Sequence, residues 1–367
     1  MSVFVLMAGG TGGHLFPAMA LAQELRRRGH FIHLMTDHRV ANYGDQFPAQ
    51  EIHVVPSATP SVSNPFVFAT AAGKILWGTV VAWSKLGGIT PDAVIGFGGY
   101  PVFPPFLAAR LSGVPGILHE QNAVMGRANR ALARYASKIA LSFAKTQKAE
   151  PFAGKSVLTG NPVRDRVRSV AASPYRPFTA DGPIRLVVFG GSQGARAFSE
   201  FVPPAIALLP ADLRSRLRIA QQCRPEDLDA VAEAYRRAHV NVELQPFFSD
   251  LPERMSAAHL VIARSGASTV AELAVLGRPA ILVPLPGSID GDQKNNALVM
   301  DAAGGGWIME QATISPPSLA NRLNSLFGDP ATLTTAAAAA KALGQPRAVE
   351  QLADLAEAAA AGRGKTT

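Results

Sequence analysis

Short, nearly continuous apolar runs alternate along most of the chain with longer segments whose apolar residues recur at helical spacing. In the first half the runs are Val3–Ala8, Phe31–Thr36, Ile52–Val55, Ala93–Ile95, Gly116–His119, Ile139–Ser142 and Val157–Leu158. Runs of this length and composition predict strands buried on both faces, as in a parallel sheet. Between the first two, Ala18, Leu21, Ala22 and Leu25 mark one face of a helix that carries arginines on its last turn and closes at Gly29. The alternation predicts βαβ units. It breaks over residues 166–183, where Ser173-Pro174, Arg176-Pro177 and Asp181-Gly182-Pro183 read as a linker. It restarts with Ile184–Phe189, Leu217–Gln221, Val242–Leu244, Leu260–Ala263, Ala280–Val283 and Trp307–Met309. The alanine-rich stretch Ala331–Ala361 predicts a helix, and Gly362–Thr367 a frayed tail. The expected fold class is α/β, with two parallel-sheet domains.

Length supports two cores, because 367 residues are many for one. A chain 48% hydrophobic and 17% charged is globular in composition. The formal charge of +8 suits an anionic partner: a phosphorylated substrate, acidic lipid or nucleic acid. The basic residues are scattered, with no run interleaved by aromatics, so nucleic acid is the least favoured of the three. Cys223 is the one cysteine, which excludes an intramolecular disulfide and fits a reducing compartment. Met1–Ala8 runs into a strand with no basic flank or cleavage site, and reads as no signal peptide. Pro65–Trp83 is the longest apolar stretch, but Lys74, Gly73 and Gly78 make it too polar for a clear membrane span. It fits a core helix or an interfacial one equally.

Candidate chemistry concentrates where glycine clusters follow strands. Three such clusters are Gly9-Gly10-Thr11-Gly12-Gly13-His14, Gly96-Phe97-Gly98-Gly99-Tyr100 and Gly190-Gly191-Ser192-Gln193-Gly194. A strand, a glycine turn and a helix start form a cradle for anions, with backbone N–H groups aimed at a phosphate. The first cluster departs from the dinucleotide fingerprint, since Leu15 stands at the third glycine position. Asp37 follows the second strand, where a ribose-binding acid would sit, and keeps an NAD-dependent oxidoreductase as the rival class. In the second half, Arg264-Ser265-Gly266-Ala267-Ser268-Thr269-Val270-Ala271-Glu272 opens a helix that Ser268 or Thr269 can cap and whose N-terminus can hold a diphosphate. Glu272, one turn in, is placed to accept two ribose hydroxyls or to serve as an ordinary helix acid. Asp290-Gly291-Asp292 resembles a metal-binding triplet, but no histidine or cysteine set accompanies it, and Gln293 and Asn296 suit sugar hydroxyls better.

Taken in order, these motifs resemble the bacterial peptidoglycan N-acetylglucosaminyltransferases. The resemblance rests on the first glycine cluster, Gly98-Gly99-Tyr100, His119-Glu120-Gln121-Asn122-Ala123, Gly160-Asn161-Pro162-Val163-Arg164, the third cluster, Arg264-Ser265-Gly266-Ala267 and Asp292-Gln293. It spans about Val3 to Trp307. It implies a GT-B fold: an acceptor- and membrane-facing Rossmann-like domain over 1–163, a UDP-sugar domain over 164–340, and a helix over 341–367 returning to the first. The implied reaction moves N-acetylglucosamine from UDP-N-acetylglucosamine to lipid I, undecaprenyl-pyrophosphoryl-N-acetylmuramoyl-pentapeptide, giving lipid II. By motif, Ser192 and the Ala267-Ser268-Thr269-Val270-Ala271 turn hold the donor diphosphate, and Glu272 the ribose. Phe248 meets uracil through its backbone, and Gln293 the sugar. Thr11, Gly12, Gly13, Asn122 and Arg164 line the cleft, while Gly98, Gly99 and Tyr100 meet the acceptor pyrophosphate. The resemblance implies no cofactor and no metal. It places the protein peripherally on the cytoplasmic face of the inner membrane, against anionic lipid, with cell-wall synthesis proteins as candidate partners. Pro101-Val102-Phe103-Pro104-Pro105 departs from the pattern usual after Gly98-Gly99-Tyr100.

The implied chemistry is an inverting displacement by the acceptor C4 hydroxyl, which needs a base. His14 ends the first glycine cluster at a helix start, where the helix dipole is expected to keep the imidazole neutral. Glu120 is the alternative base. A non-catalytic UDP-sugar binder and a UDP-N-acetylglucosamine 2-epimerase are the remaining rivals.

Overall fold

A computed structural model describes residues 1–9, 12–39, 47–58, 65–191 and 196–363, with the side chains of 65–68 left aside. The chain divides into two compact units, Met1–Asp165 with Pro346–Thr367, and Arg166–Gln345.

In the first unit the elements run β1 (Val3–Met7), α1 (Gly12–Arg27), β2 (Phe31–Thr36), β3 (Glu51–Val54), α2 (Pro65–Ile89), β4 (Ala93–Gly96), α3 (Phe103–Leu111), β5 (Gly116–Glu120), α4 (Arg127–Leu132), β6 (Lys138–Leu141) and β7 (Ser156–Leu158). They form a seven-stranded sheet in the order β3-β2-β1-β4-β5-β6-β7, and every pairing is parallel. Apolar runs buried on both faces explain the sheet: Phe4, Leu6, Ile32, Leu34, Ile95 and Ile117 pack on one side with α1, and Val5, Met7, Met35, Val94 and Leu118 on the other with α2 and α3. Strand order reverses between β1 and β4. The glycine loops after both strands therefore meet at the carboxyl edge, where doubly wound sheets bind ligands.

The second unit takes up the chain at α5 (Asp165–Val170) and continues β8 (Ile184–Phe189), α6 (Arg196–Ala207), α7 (Ala211–Arg216), β9 (Leu217–Gln222), α8 (Leu228–Arg237), β10 (Asn241–Gln245), α9 (Leu251–Ala257), β11 (Leu260–Ala263), α10 (Ala267–Leu276), β12 (Ala280–Leu282), α11 (Asp292–Ala302), β13 (Gly306–Ile308), α12 (Pro316–Gly328) and α13 (Pro330–Leu343). Its six-stranded sheet, in the order β10-β9-β8-β11-β12-β13, is again parallel, and it reverses between β8 and β11.

Two expectations change. The linker begins as a helix, α5, with Val167 buried. The alanine-rich tail is two helices rather than one. It breaks after Leu343, because Gly344 leaves the helical region at ψ 142 and Pro346 follows. The second piece, α14 (Ala348–Arg363), lies on the first unit, with Leu352, Ala353, Ala356 and Ala360 joining the core beside α1. Arg28 holds it at 2.7 Å from both Asp354 and Glu357, and His30 Nε2 lies 2.8 Å from Glu357.

Candidate active site

Within the first unit, the loops after β1, β4 and β5 gather around His14. Gly98 and Gly99 have φ of +83° and +79°, which a side chain rarely adopts. A Cβ on Gly98 would lie 3.4 Å from the His14 ring and from the Asn129 amide. The glycines therefore let the loop run directly against the imidazole. Burial, and then the charge of Arg39, lower the His14 pKa to about 4, against an opposing pull from Asp37. The ring is neutral at pH 7, with burial the largest cause and the Arg39 guanidinium the next. Gly12 is buried and Gly13 exposed at the start of α1. Thr11 lies outside the described residues.

Asp37 is committed elsewhere. Its carboxylate accepts from the Arg39 backbone N–H at 3.0 Å and from its guanidinium at 2.9 and 2.6 Å. The Arg39 guanidinium in turn covers the Tyr100 ring, 5.1 Å from its centroid. An acid so paired is not a free ribose acceptor, which removes the residue that kept the dinucleotide reading alive. No spacing in the sequence marks Arg39, although Asp37-His38-Arg39 directly follows a strand.

Glu120, at the end of β5, is buried and fully bonded. One oxygen accepts from Asn122 N at 3.0 Å and Asn122 Nδ2 at 3.3 Å, the other from Gly126 N at 2.9 Å and Asn129 Nδ2 at 2.8 Å. Burial pushes its pKa up, and the four N–H donors pull against that. All four partners being donors, the site fits the carboxylate and fixes the Asn122–Asn129 loop. The neighbouring His119 donates from Nε2 to Gly160 O at 3.0 Å and accepts at Nδ1 from Gln121 at 2.9 Å, so it is satisfied as a neutral ring. Asn161 has both side-chain polar atoms buried without a partner. The Arg164 guanidinium stacks 4.3 Å from the centroid of Phe16.

In the second unit, the loops after β8, β11 and β12 adjoin. Gly190 N donates to Gln222 at 3.1 Å and Gly191 takes φ +89°; Ser192 lies outside the described residues. The helix α10 starts at Ala267 with Gly266 as N-cap and no side-chain cap, so neither Ser268 nor Thr269 caps it. Gly266 already supplies the extended cap geometry, and both residues fall inside the first turn. The Ser268 Oγ is left buried without a partner. The first turn, Ala267–Thr269, thus keeps N–H groups that the helix itself cannot satisfy, with Val270, Ala271 and the buried Glu272 behind it. Gln293 ties the neighbouring loop: its Oε1 accepts from Leu285 N at 2.9 Å and its carbonyl from Ser265 Oγ at 2.8 Å. Buried Asn296 donates to Ser265 O at 3.1 Å. Asp292 accepts from the Gln293 N–H at 2.6 Å. Phe248 is buried under Arg254, 4.4 Å from its ring centroid, beside the exposed Phe247.

Both units match models of one family: residues 4–141 the glycosyltransferase family 28 N-terminal domain, and residues 185–352 its C-terminal domain. The chain belongs to glycosyltransferase family 28. Within the family it is 51% identical over 361 residues to the UDP-N-acetylglucosamine–N-acetylmuramyl-(pentapeptide) pyrophosphoryl-undecaprenol N-acetylglucosamine transferase of Rhizobium rhizogenes, covering 98% of this chain and 96% of the relative. It is 54% identical over 353 residues to the protein of that name from Methylobacterium sp. strain 4-46, covering 96% and 95%. The crystal structure of Acinetobacter baumannii MurG superposes with a TM-score of 0.77 at 33% identity, over 96% of this chain and 99% of that one. Two parallel-sheet Rossmann-like domains of this kind are consistent with the GT-B fold. A UDP-N-acetylglucosamine 2-epimerase from Neisseria meningitidis shares that fold at 14% identity and a TM-score of 0.66, over 96% and 99% of the two chains.

Proposed function

We propose that this chain transfers N-acetylglucosamine from UDP-N-acetylglucosamine to the C4 hydroxyl of lipid I, giving lipid II. The observation that carries the reading is full-length identity of about half to transferases named for that reaction. The donor falls to the second unit. There the free N–H groups at the start of α10 suit a diphosphate, and their positive field stabilises UDP as it leaves. Glu272 takes the ribose and Gln293 the sugar hydroxyls. The first unit takes the acceptor pyrophosphate on the loops after β1 and β4. His14, neutral at pH 7, accepts the C4 hydroxyl proton as the oxygen attacks the anomeric carbon opposite UDP. Glu120 holds the Asn122–Asn129 loop and is not the base. The test is UDP release with and without a lipid I analogue, with the sugar product identified. Release that depends on the acceptor supports transfer. Formation of the 2-epimer without acceptor makes the chain an epimerase.

The acceptor's lipid anchor also calls for a membrane contact, and the first unit offers one. No helix among the described residues is long and apolar enough to cross a membrane. On α2, Leu76, Trp77 and Trp83 are 69, 61 and 55% exposed, and Leu111 at the end of α3 is 74% exposed. An apolar groove of about 460 Å³ between these helices is lined by Ile75, Leu76, Leu107, Arg110 and Leu111. Exposed aromatic and aliphatic side chains beside Lys74 and Arg110 suit peripheral binding to anionic lipid at the cytoplasmic face of the inner membrane. Co-sedimentation with vesicles is expected to rise with anionic lipid and fall with salt. Equal binding to neutral vesicles, or none to either, contradicts the electrostatic part.

A further inference from the structure

At the β3 edge of the first sheet, and apart from the loops described above, two histidines and a glutamate converge. Parallel register sets His33 of β2 opposite Glu51 of β3, with His53 two residues further along the same face. One ligand atom from each of His33, Glu51 and His53 lies within 4.8 Å of the other two. His53 is the hub. Its Nε2 lies 3.3 Å from His33 Nδ1, with the two rings inclined by only 16°. Its Nδ1 lies 3.5 Å from a Glu51 carboxylate oxygen and is buried without a hydrogen-bond partner.

We propose that His33, His53 and Glu51 form a zinc-type metal site that clips the edge strand β3 to β2. Two ligands 2.0–2.1 Å from a tetrahedral ion stand about 3.3 Å apart, the spacing of His53 Nε2 and His33 Nδ1, so these two nitrogens would face the ion, and His53 Nδ1, on the other side of the ring, would not ligate it. Two imidazole nitrogens and one carboxylate oxygen are a donor set suited to zinc and to the later first-row divalent ions. The side chain of His53 is 4% exposed and that of Glu51 63%, so the site is anchored inside and open outside. The open side gives the ion its entry and leaves a fourth position for water. Because an edge strand pairs on one side only, a cross-strand clip acts where the sheet is least held. The ion's role is structural, and it takes no part in transfer. The simpler account of the same atoms is a lone imidazole–imidazole hydrogen bond, and the two differ in metal uptake.

The experiment uses the untagged full chain, stripped with chelator, then dialysed against zinc, with cobalt as a spectroscopic substitute. The wild type is expected to take up one zinc per chain, to melt at a higher temperature with zinc than without, and to give the intense visible bands of tetrahedral cobalt. Glu51→Gln, at an exposed position, should weaken binding at least ~tenfold, and His33→Gln should abolish it. Transferase activity serves as the folding control, since none of the three residues belongs to the proposed catalytic site. Should His33→Gln fail to fold, the cobalt spectrum of the wild type and the Glu51→Gln titration still decide. No uptake by the active wild type at ~100 µM zinc overturns the proposal, as does uptake by both variants as tight as the wild type's.

Discussion

Glu120→Gln separates a base from a brace. The substitution keeps the size of the side chain and turns one carboxylate oxygen into an NH2 group. Whichever oxygen is replaced, the new amide faces two N–H donors: those of Asn122 at 3.0 and 3.3 Å, or those of Gly126 and Asn129 at 2.9 and 2.8 Å. Two charge-assisted bonds are lost, each about 1.5–3 kcal/mol, and donors are set against donors in a buried site. Relief of the buried charge offsets part of this, so a net loss of about 3 kcal/mol is expected. For a domain of this size that lowers Tm by roughly 6–12 °C. The assay is thermal unfolding of the full chain beside the pH dependence of kcat/KM. Reduced activity with a lowered Tm and an unchanged acidic limb is the expected result. A wild-type Tm with kcat down ~10²–10⁴-fold and the acidic limb gone refutes the reasoning and makes Glu120 the base.

His14→Ala should lower kcat by roughly 10²–10⁴-fold, with the donor KM near wild type. The wild-type acidic limb should lie near pH 4 rather than 6.5, because His14 titrates at about 4 in the folded chain; steady-state pH profiles check both. Glu272→Ala should raise the donor KM about 5–150-fold, the equivalent of 1–3 kcal/mol, and spare the acceptor KM. An unchanged donor KM removes the ribose assignment. Acid should destabilise the fold between pH 6.5 and 4. His119 and His259 are both lowered to about 4 mainly by burial, so the unfolded chain takes up their protons first, and stability falls with pH across that window. Urea titrations at pH 7 and 4.5 check the sign, and His259→Gln should flatten the difference.

The sheets were legible because parallel strands buried on both faces write themselves as apolar runs. Val3–Ala8 and Ile184–Phe189 coincide with β1 and β8 almost to the residue. The glycine loops were legible because their φ values and close approaches admit little else, as at Gly98 against His14. What failed depended on local competition or on tertiary partners. The cap lies at Gly266, two residues ahead of Ser268 and three ahead of Thr269, which takes both out of that role, and part of the linker folds as α5 with Val167 buried. The hydrogen-bonded setting of Glu120, the alternative base, was not legible, because its four donors come from residues two to nine positions away, which no spacing rule assembles. Asp37 read as a free acid because Arg39 is visible as its partner only once the loop is folded.

The most direct test of the central claim is the structure of the product made from isotope-labelled UDP-N-acetylglucosamine and a lipid I analogue, read by nuclear magnetic resonance. Inverting transfer to lipid I gives one labelled N-acetylglucosamine joined to the acceptor C4 oxygen, with its anomeric configuration inverted relative to the donor. Label found only as free sugar or its 2-epimer, or joined with configuration retained, contradicts it.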